Sequence, residues 1–223
     1  NAIDVIDGGA DNDTINNVGY GDTVAGGEGL DTVNLNLGDA TEGVIIDAGV
    51  GEDVGVSLIG VEFVNGSLSA FDDILITGMQ IGNIGGDGGI DRITLDYSSG
   101  ALADGRTVQQ IIFNRLDAQG TTATRETVIF NDNTNAVFEI TNFEGFSITG
   151  TDGNDVINAT GGSAGNNLNG EAGNDTLTGA TNAIDVIDGG ADNDTINNVG
   201  YGDTVAGGEG LDTVNLNLGD ATE

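Results

Sequence analysis

Apolar residues in this chain keep a beat of nine. From Gly150 to Asn215 an aliphatic side chain returns at the eighth place of successive rows, two places after an acidic or amide residue at the sixth. Gly207–Asn215 (GGEGLDTVN), Gly189–Asn197 (GGADNDTIN), Gly170–Thr178 (GEAGNDTLT) and Gly150–Asn158 (GTDGNDVIN) show the pattern most fully. The intervening rows Gly161–Asn169, Ala180–Asp188 and Asn198–Ala206 keep the two diagnostic places. The sixth-place residues are Asp155, Asn166, Asp175, Asp185, Asp194, Asp203 and Asp212, spaced 11, 9, 10, 9, 9 and 9. Each row predicts a glycine-rich bend and a short strand, with the eighth-place aliphatic turned inward and its neighbours outward. The same rhythm opens the chain. Gly8–Asn16, Asn17–Ala25 and Gly26–Asn34 carry Asp13, Asp22 and Asp31, and Asp4 with Ile6 belongs to a partial row before them. Val33, Leu35 and Leu37 then alternate with Asn34 and Asn36, which predicts a period-two strand.

Between these stretches the pattern loosens. VIIDAG (Val44–Gly49) and VGVSLIGVEFV (Val54–Val64) are rich in β-branched residues and broken by glycine, as strands and turns are. Asp73, Gly82 and Asp91 fall nine apart, each followed two places later by Leu75, Ile84 or Ile93, a degenerate run that ends near Thr94. Val61-Glu62-Phe63 and Phe143-Glu144-Gly145 each place a glutamate 11 residues before an aspartate (Asp73, Asp155) and read as entry segments to the runs. Leu95–Thr141 is different. LDYSS, TVQQIIFNRL, ETVIFND and AVFEIT predict strands, with turn-like ALADG, DAQGTTA and DNTN between them. This segment is expected to project from the regular stack, or flank it, as a β-hairpin or small antiparallel excursion. Its apolar strands would either meet a neighbouring module or cover the end of the stack.

Residues Asn1–Glu42 recur unchanged as Asn182–Glu223, an offset of 181. An engineered duplication and a natural tandem array both give this, and identity through variable bend positions favours the array. The organisation follows: 1–42, the end of a preceding module; 43–94, an irregular solenoidal part with degenerate rows; 95–142, the β-strand insertion; 143–223, the main run of rows.

Composition narrows the chemistry. The net charge is −33, from 37 acidic residues against four basic ones, Arg92, Arg106, Arg115 and Arg125. Nucleic acid is excluded as a partner, because phosphate binding needs cations. Regularly placed hydrophobics at 37% argue against a disordered acidic tail. The better reading is a chain that must recruit cations before like charges can stack. Histidine, cysteine, proline and tryptophan are absent, which removes disulfides, thiolates and imidazole ligands or bases. No apolar run approaches the ~20 residues of a membrane span, and no signal-peptide pattern is visible.

The rows GGEGLDTVN and GGADNDTIN resemble the RTX (repeats-in-toxin) calcium-binding nonapeptide family, pattern GGxGxDxUx with U aliphatic. The resemblance implies an all-β fold: a parallel β-roll or β-solenoid with two rows per coil, here carrying a hairpin-like insertion. It also implies multiple Ca²⁺ ions, held between bends one coil apart on the same side. The candidate ligands are Asp4, Asp13, Asp22, Asp31, Asp73, Asp91, Asp155, Asp175, Asp185, Asp194, Asp203 and Asp212. The expected pairs are Asp13 with Asp31, Asp4 with Asp22, Asp73 with Asp91, Asp185 with Asp203, and the series Asp175, Asp194 and Asp212. Asn166 is the weaker ligand. The extra residues Ala159–Thr160 and Gly179 are expected to be bulges where the ladder is imperfect. Hard oxygens at about 2.3–2.6 Å suit Ca²⁺ better than Mg²⁺. Stacked carboxylates about 4.8 Å apart repel, so folding should require the metal.

The function expected is structural and not enzymatic: a calcium-binding repeat module of a secreted filament, adhesin or surface-layer-like protein. Its partners would be neighbouring identical modules, with no nucleic acid and no membrane insertion. Family resemblance implies export by type I secretion to the extracellular space or cell surface, with the secretion signal outside this window. The alternative is a calcium-binding appendage of a secreted hydrolase or toxin. A glycosidase could use two carboxylates alone, but these acids are spread evenly instead of gathered. Ice binding would need a regular outward Thr/Asn ladder, and the outward bend places are too irregular.

Overall fold

The computed structural model describes residues 2–47, 56–59, 61, 63–77, 82–98, 107–116, 123–160 and 164–219. The expected ALADG turn, most of DAQGTTA, the ends of VIIDAG and LDYSS, the start of VGVSLIGVEFV, Glu62 and Arg106 lie outside them.

The first copy of the repeat supplies β1 (Val5–Ala10), β2 (Thr14–Val18), β3 (Thr23–Glu28) and β4 (Thr32–Asn36). The irregular segment supplies β5 (Ile45–Asp47), β6 (Ser57–Ile59), β7 (Phe63–Ser67), β8 (Ile74–Thr77), β9 (Ile84–Gly85) and β10 (Arg92–Asp96). The insertion supplies β11 (Val108–Leu116), β12 (Ala123–Phe130) and β13 (Asn135–Thr141). The main run supplies β14 (Gly145–Thr149), β15 (Val156–Asn158), β16 (Asn167–Asn169), β17 (Thr176–Thr178), β18 (Val186–Asp188), β19 (Thr195–Val199), β20 (Thr204–Ala206) and β21 (Thr213–Leu216). No helix occurs among the described residues.

Among the described residues these strands form three sheets, ordered β1-β3-β6, β20-β18-β16-β14-β10-β8-β5 and β2-β4-β7-β9-β13-β12-β11-β15-β17-β19-β21. Every named pair is parallel except β11–β12 and β12–β13. From β14 onward, consecutive strands alternate between the seven-stranded and eleven-stranded sheets. The eighth-place aliphatics stay in register: Ile157, Leu177, Ile196 and Val214 on one sheet, Ile148, Leu168, Ile187 and Val205 on the other. All but the last of each series are buried, within one core cluster. Each such burial contributes about 1.5–3 kcal/mol.

The insertion does not project. β13 pairs in parallel with β9, β11 pairs in parallel with β15, and β12 lies antiparallel between β11 and β13. Its strands therefore stand inside the eleven-stranded sheet. Alternation is the reason: Ile111, Phe113, Val128, Phe130, Phe138 and Ile140 all face the common core. The Phe113 ring meets Phe146 of β14 edge-on, at a centroid distance of 5.1 Å. The predicted DNTN turn is present, with Asn133 at φ 61° and the Thr134 N–H donated to Asp132 Oδ1.

Candidate metal centre

The sixth-place residue ends each bend just before its strand. Its Oδ1 accepts the backbone N–H of the corresponding residue one coil earlier. The Asp4 N–H donates to Asp22 at 2.9 Å, Asp13 to Asp31 at 2.9 Å and Asp73 to Asp91 at 2.8 Å. In the main run, Asp175 donates to Asp194 at 2.8 Å, Asp194 to Asp212 at 3.1 Å and Asp185 to Asp203 at 2.9 Å. Every pair named from the spacing is brought together. Asp155 joins the same ladder, its N–H donating to Asp175 at 2.7 Å and its own Oδ1 accepting from Ile111. Asn166 holds a rung as well, accepting from the Phe146 N–H and donating its N–H to Asp185. The extra residues near Ala159 and at Gly179 are absorbed in the bends. Successive rungs at Asp155, Asp175 and Asp194 simply span 20, 19 and 18 residues.

One rung was missed by the nonapeptide reading. The Asp91 N–H donates to Glu144 Oε2 at 3.0 Å, across 53 residues of intervening chain. The signal was the Phe-Glu-Gly entry echo, which placed Glu144 before a run but not within one. A second ladder runs in the opposite sense through fifth-place asparagines. The Asn174 N–H donates to Asn154 Oδ1, Asn193 to Asn174 and Leu211 to Asn193. Adjacent bends are thus locked by bonds in both directions.

The second carboxylate oxygen separates the rungs into two kinds. Where the bend supplies a donor, Oδ2 is capped. Gly19 caps Asp22 at 2.8 Å, Ala180 caps Asp185 at 2.7 Å and Gly200 caps Asp203 at 2.7 Å. Ser69 and Thr151 cap Asp73 and Asp155 with both N–H and hydroxyl. In contrast, Oδ2 of Asp13, Asp91, Asp175 and Asp194 is buried with no hydrogen-bond partner.

Beside each of those four oxygens sits a row-leading glycine. A Cβ built on Gly170 would lie 2.3 Å from Asp175 Oδ2 and 2.3 Å from the Gly189 carbonyl oxygen of the next coil. For Gly189 the distances are 2.5 Å to Asp194 Oδ2 and 2.4 Å to Gly207 O. Gly8 repeats the arrangement with Asp13 and Gly26 O, and Gly86 with Asp91 and Asn142 O. An anionic oxygen and a carbonyl oxygen from the adjoining coil therefore face one small space that only glycine leaves open. A buried polar atom without a partner costs about 1–3 kcal/mol, and more when charged. In a chain with four basic residues, such a repeated cost is one that an external cation would relieve.

The electrostatics agree. Burial pushes the carboxyls of Asp91 and Asp175 up to about 7, against the pull of the ladder hydrogen bonds and with help from neighbouring acids. Asp155 is raised to about 6 by burial, opposed by donors from Thr151 and Ile111. Asp185 and Asp194 are raised for the same first reason. Among the described residues no three acidic side chains gather closely enough to hold an ion alone. The remaining donors would have to be backbone carbonyls, as the glycine bends provide. Hard, oxygen-only donors are the set that calcium takes. A scan against protein-family models and a search of curated proteins return no match to this chain.

Proposed function

We propose that this chain is a calcium-stiffened structural repeat of a secreted filament, adhesin or surface-layer-like protein. Its RTX-like rows would wind into a closed parallel β-roll. One observation carries the reading: buried carboxylate oxygens without partners recur beside inward-turned carbonyls, at Asp13, Asp91, Asp175 and Asp194. Calcium in those places neutralises the stacked acids and cross-links neighbouring coils, which a chain without cysteine cannot do covalently. Support for a structural role comes from the repetition itself. Identical rows multiply a cross-link usefully, and stacked repeats contact only their neighbours. Circular dichroism in calcium and in excess EDTA tests it. The β signal is expected to strengthen and to melt at higher temperature with calcium and to weaken in chelator, and a signal and melt unchanged in EDTA would overturn the reading.

A further inference from the structure

The chain presents one sequence in two settings, Asn1–Glu42 and Asn182–Glu223. In the first, β3 and β4 are each followed by a further parallel strand. β6 lies on β3 with Thr23 opposite Ser57, and β7 lies on β4 with Val33 opposite Val64 and Asn36 opposite Ser67. In the second, the equivalent strands β20 and β21 end their sheets.

The side chains register the difference. Val33, Leu35 and Leu37 are 0%, 5% and 0% exposed, whereas their twins Val214, Leu216 and Leu218 are 42%, 65% and 54% exposed. Leu30 and Tyr20 are partly buried, but Leu211 and Tyr201 stand 85% and 78% exposed. Identical residues have no preference of their own to explain this; only the covering strands differ. An apolar sheet edge of this kind is a template for another strand, and the first copy shows which strand fits.

We propose that the edge formed by β20 and β21 accepts a segment with the sequence of Ser57–Ser67, supplied by the following repeat. Adjacent repeats then share continuous sheets with no joint between them. This rests on the tandem-array reading and adds the interface to it. The fit extends to the backbone. The Phe63 N–H donates to the Asp31 carbonyl at 3.0 Å and the Leu37 N–H to the Ser67 carbonyl at 3.4 Å. Gly66, at φ 121°, passes so close that a Cβ would sit 2.2 Å from the Leu35 carbonyl oxygen. Asp212, Leu216 and Leu218 are the twins of Asp31, Leu35 and Leu37, so the Asp212 carbonyl holds the acceptor place and the Leu218 N–H the donor place.

The absence of cysteine makes a single thiol a clean reporter. Leu218→Cys is placed in the 223-residue chain and in a longer chain that repeats residues 43–223 once more after Glu223. With calcium, its reaction with a water-soluble disulfide reagent is expected to slow at least ~100-fold in the longer chain, as for a site reached only by local opening. Gly66→Ala in the added repeat alone is expected to restore the fast rate. Equal rates in two folded chains would overturn the proposal. So would protection of the shorter chain that rises with its concentration, since the occupant would then be the end of another molecule. Dichroism of both chains with and without chelator separates the two readings. Protection without calcium-dependent folding sinks only the calcium reading; calcium-dependent folding with equal thiol rates sinks only the docking.

Discussion

Asp194 and Asp185 lie in consecutive rows, one preceding each sheet, and both have Oδ1 on a ladder bond. Their second oxygens differ. Ala180 caps Asp185 Oδ2 through its N–H, while Asp194 Oδ2 is buried without a partner beside Gly189. A bend that bonds its own carboxylate has satisfied the charge internally. Where no bend donor reaches it, as in the rows led by Gly8, Gly86, Gly170 and Gly189, the oxygen is left facing a carbonyl; the Gly150 row escapes this because Thr151 caps Asp155. The twelve candidate aspartates are therefore not equivalent, and on the calcium reading the strong sites would be those at Asp13, Asp91, Asp175 and Asp194.

The largest effect is expected from closing the glycine space. Gly189→Ala puts a methyl 2.5 Å from Asp194 Oδ2 and 2.4 Å from the Gly207 carbonyl oxygen, well inside normal contact. Overpacking of this kind costs about 1–3 kcal/mol, and the loss of a calcium position adds to it. Gly38→Ala is the comparison, since its nearest atom, Asn36 Oδ1, is 4.0 Å away; a change within about 0.5 kcal/mol is expected there. Thermal melts in calcium decide, and equal melting temperatures for the two variants would break the distinction.

Replacing the charges should give effects of opposite sign in chelator. Asp194→Asn removes a buried, unpartnered anion, so the metal-free chain should gain stability while calcium affinity falls by at least tenfold, about 1.4 kcal/mol. Asp185→Asn turns an amide N–H₂ toward the Ala180 N–H, setting donor against donor. Its loss, about 1–3 kcal/mol, should be similar with and without calcium. Calorimetric titration and melts on both variants check this. A calcium-affinity loss as large for Asp185→Asn as for Asp194→Asn would show that capping does not matter.

Much of this contrast was legible beforehand. The nine-residue phase located the aspartates, the inward aliphatics and the pairs, because a short strand with a fixed bend leaves little freedom of register. Capping was partly visible too. Ser69 and Thr151 each lie four residues before their aspartate, close enough for its carboxylate to accept their backbone N–H, a local side-chain-to-backbone bond that Asp favours. Glu144 and the place of the insertion were not legible. The chain leaves the ladder after Asp91 and returns 53 residues later. Local pattern cannot tell whether strands such as Val108–Leu116 stand outside a sheet or enter it; tertiary pairing of Ile112–Asn114 with Val156–Asn158 decides that.

The smallest effect expected is from pH, and its sign distinguishes the metal-free chain from the loaded one. Asp91 and Asp175 are held near 7 by burial, and Asp155 near 6, all above the ordinary carboxylate value of about 3.9. Between about pH 4 and 7 the folded chain therefore binds more protons than the unfolded one. Without calcium, stability must fall as pH rises through that window. Bound calcium would reverse the logic, because a metal held by ionised carboxylates competes with their protons. Melting temperatures by dichroism at pH 5 and pH 8 are expected to differ, each kcal/mol being read as about 2–4 °C for a chain of this size. In chelator pH 5 should be the more stable; in saturating calcium the difference should shrink or invert. Asp175→Asn should flatten the chelator slope, because it removes one of the two carboxyls held near 7. A metal-free chain more stable at pH 8 would mean that the glycine-led carboxylates are not the charges the fold has to neutralise.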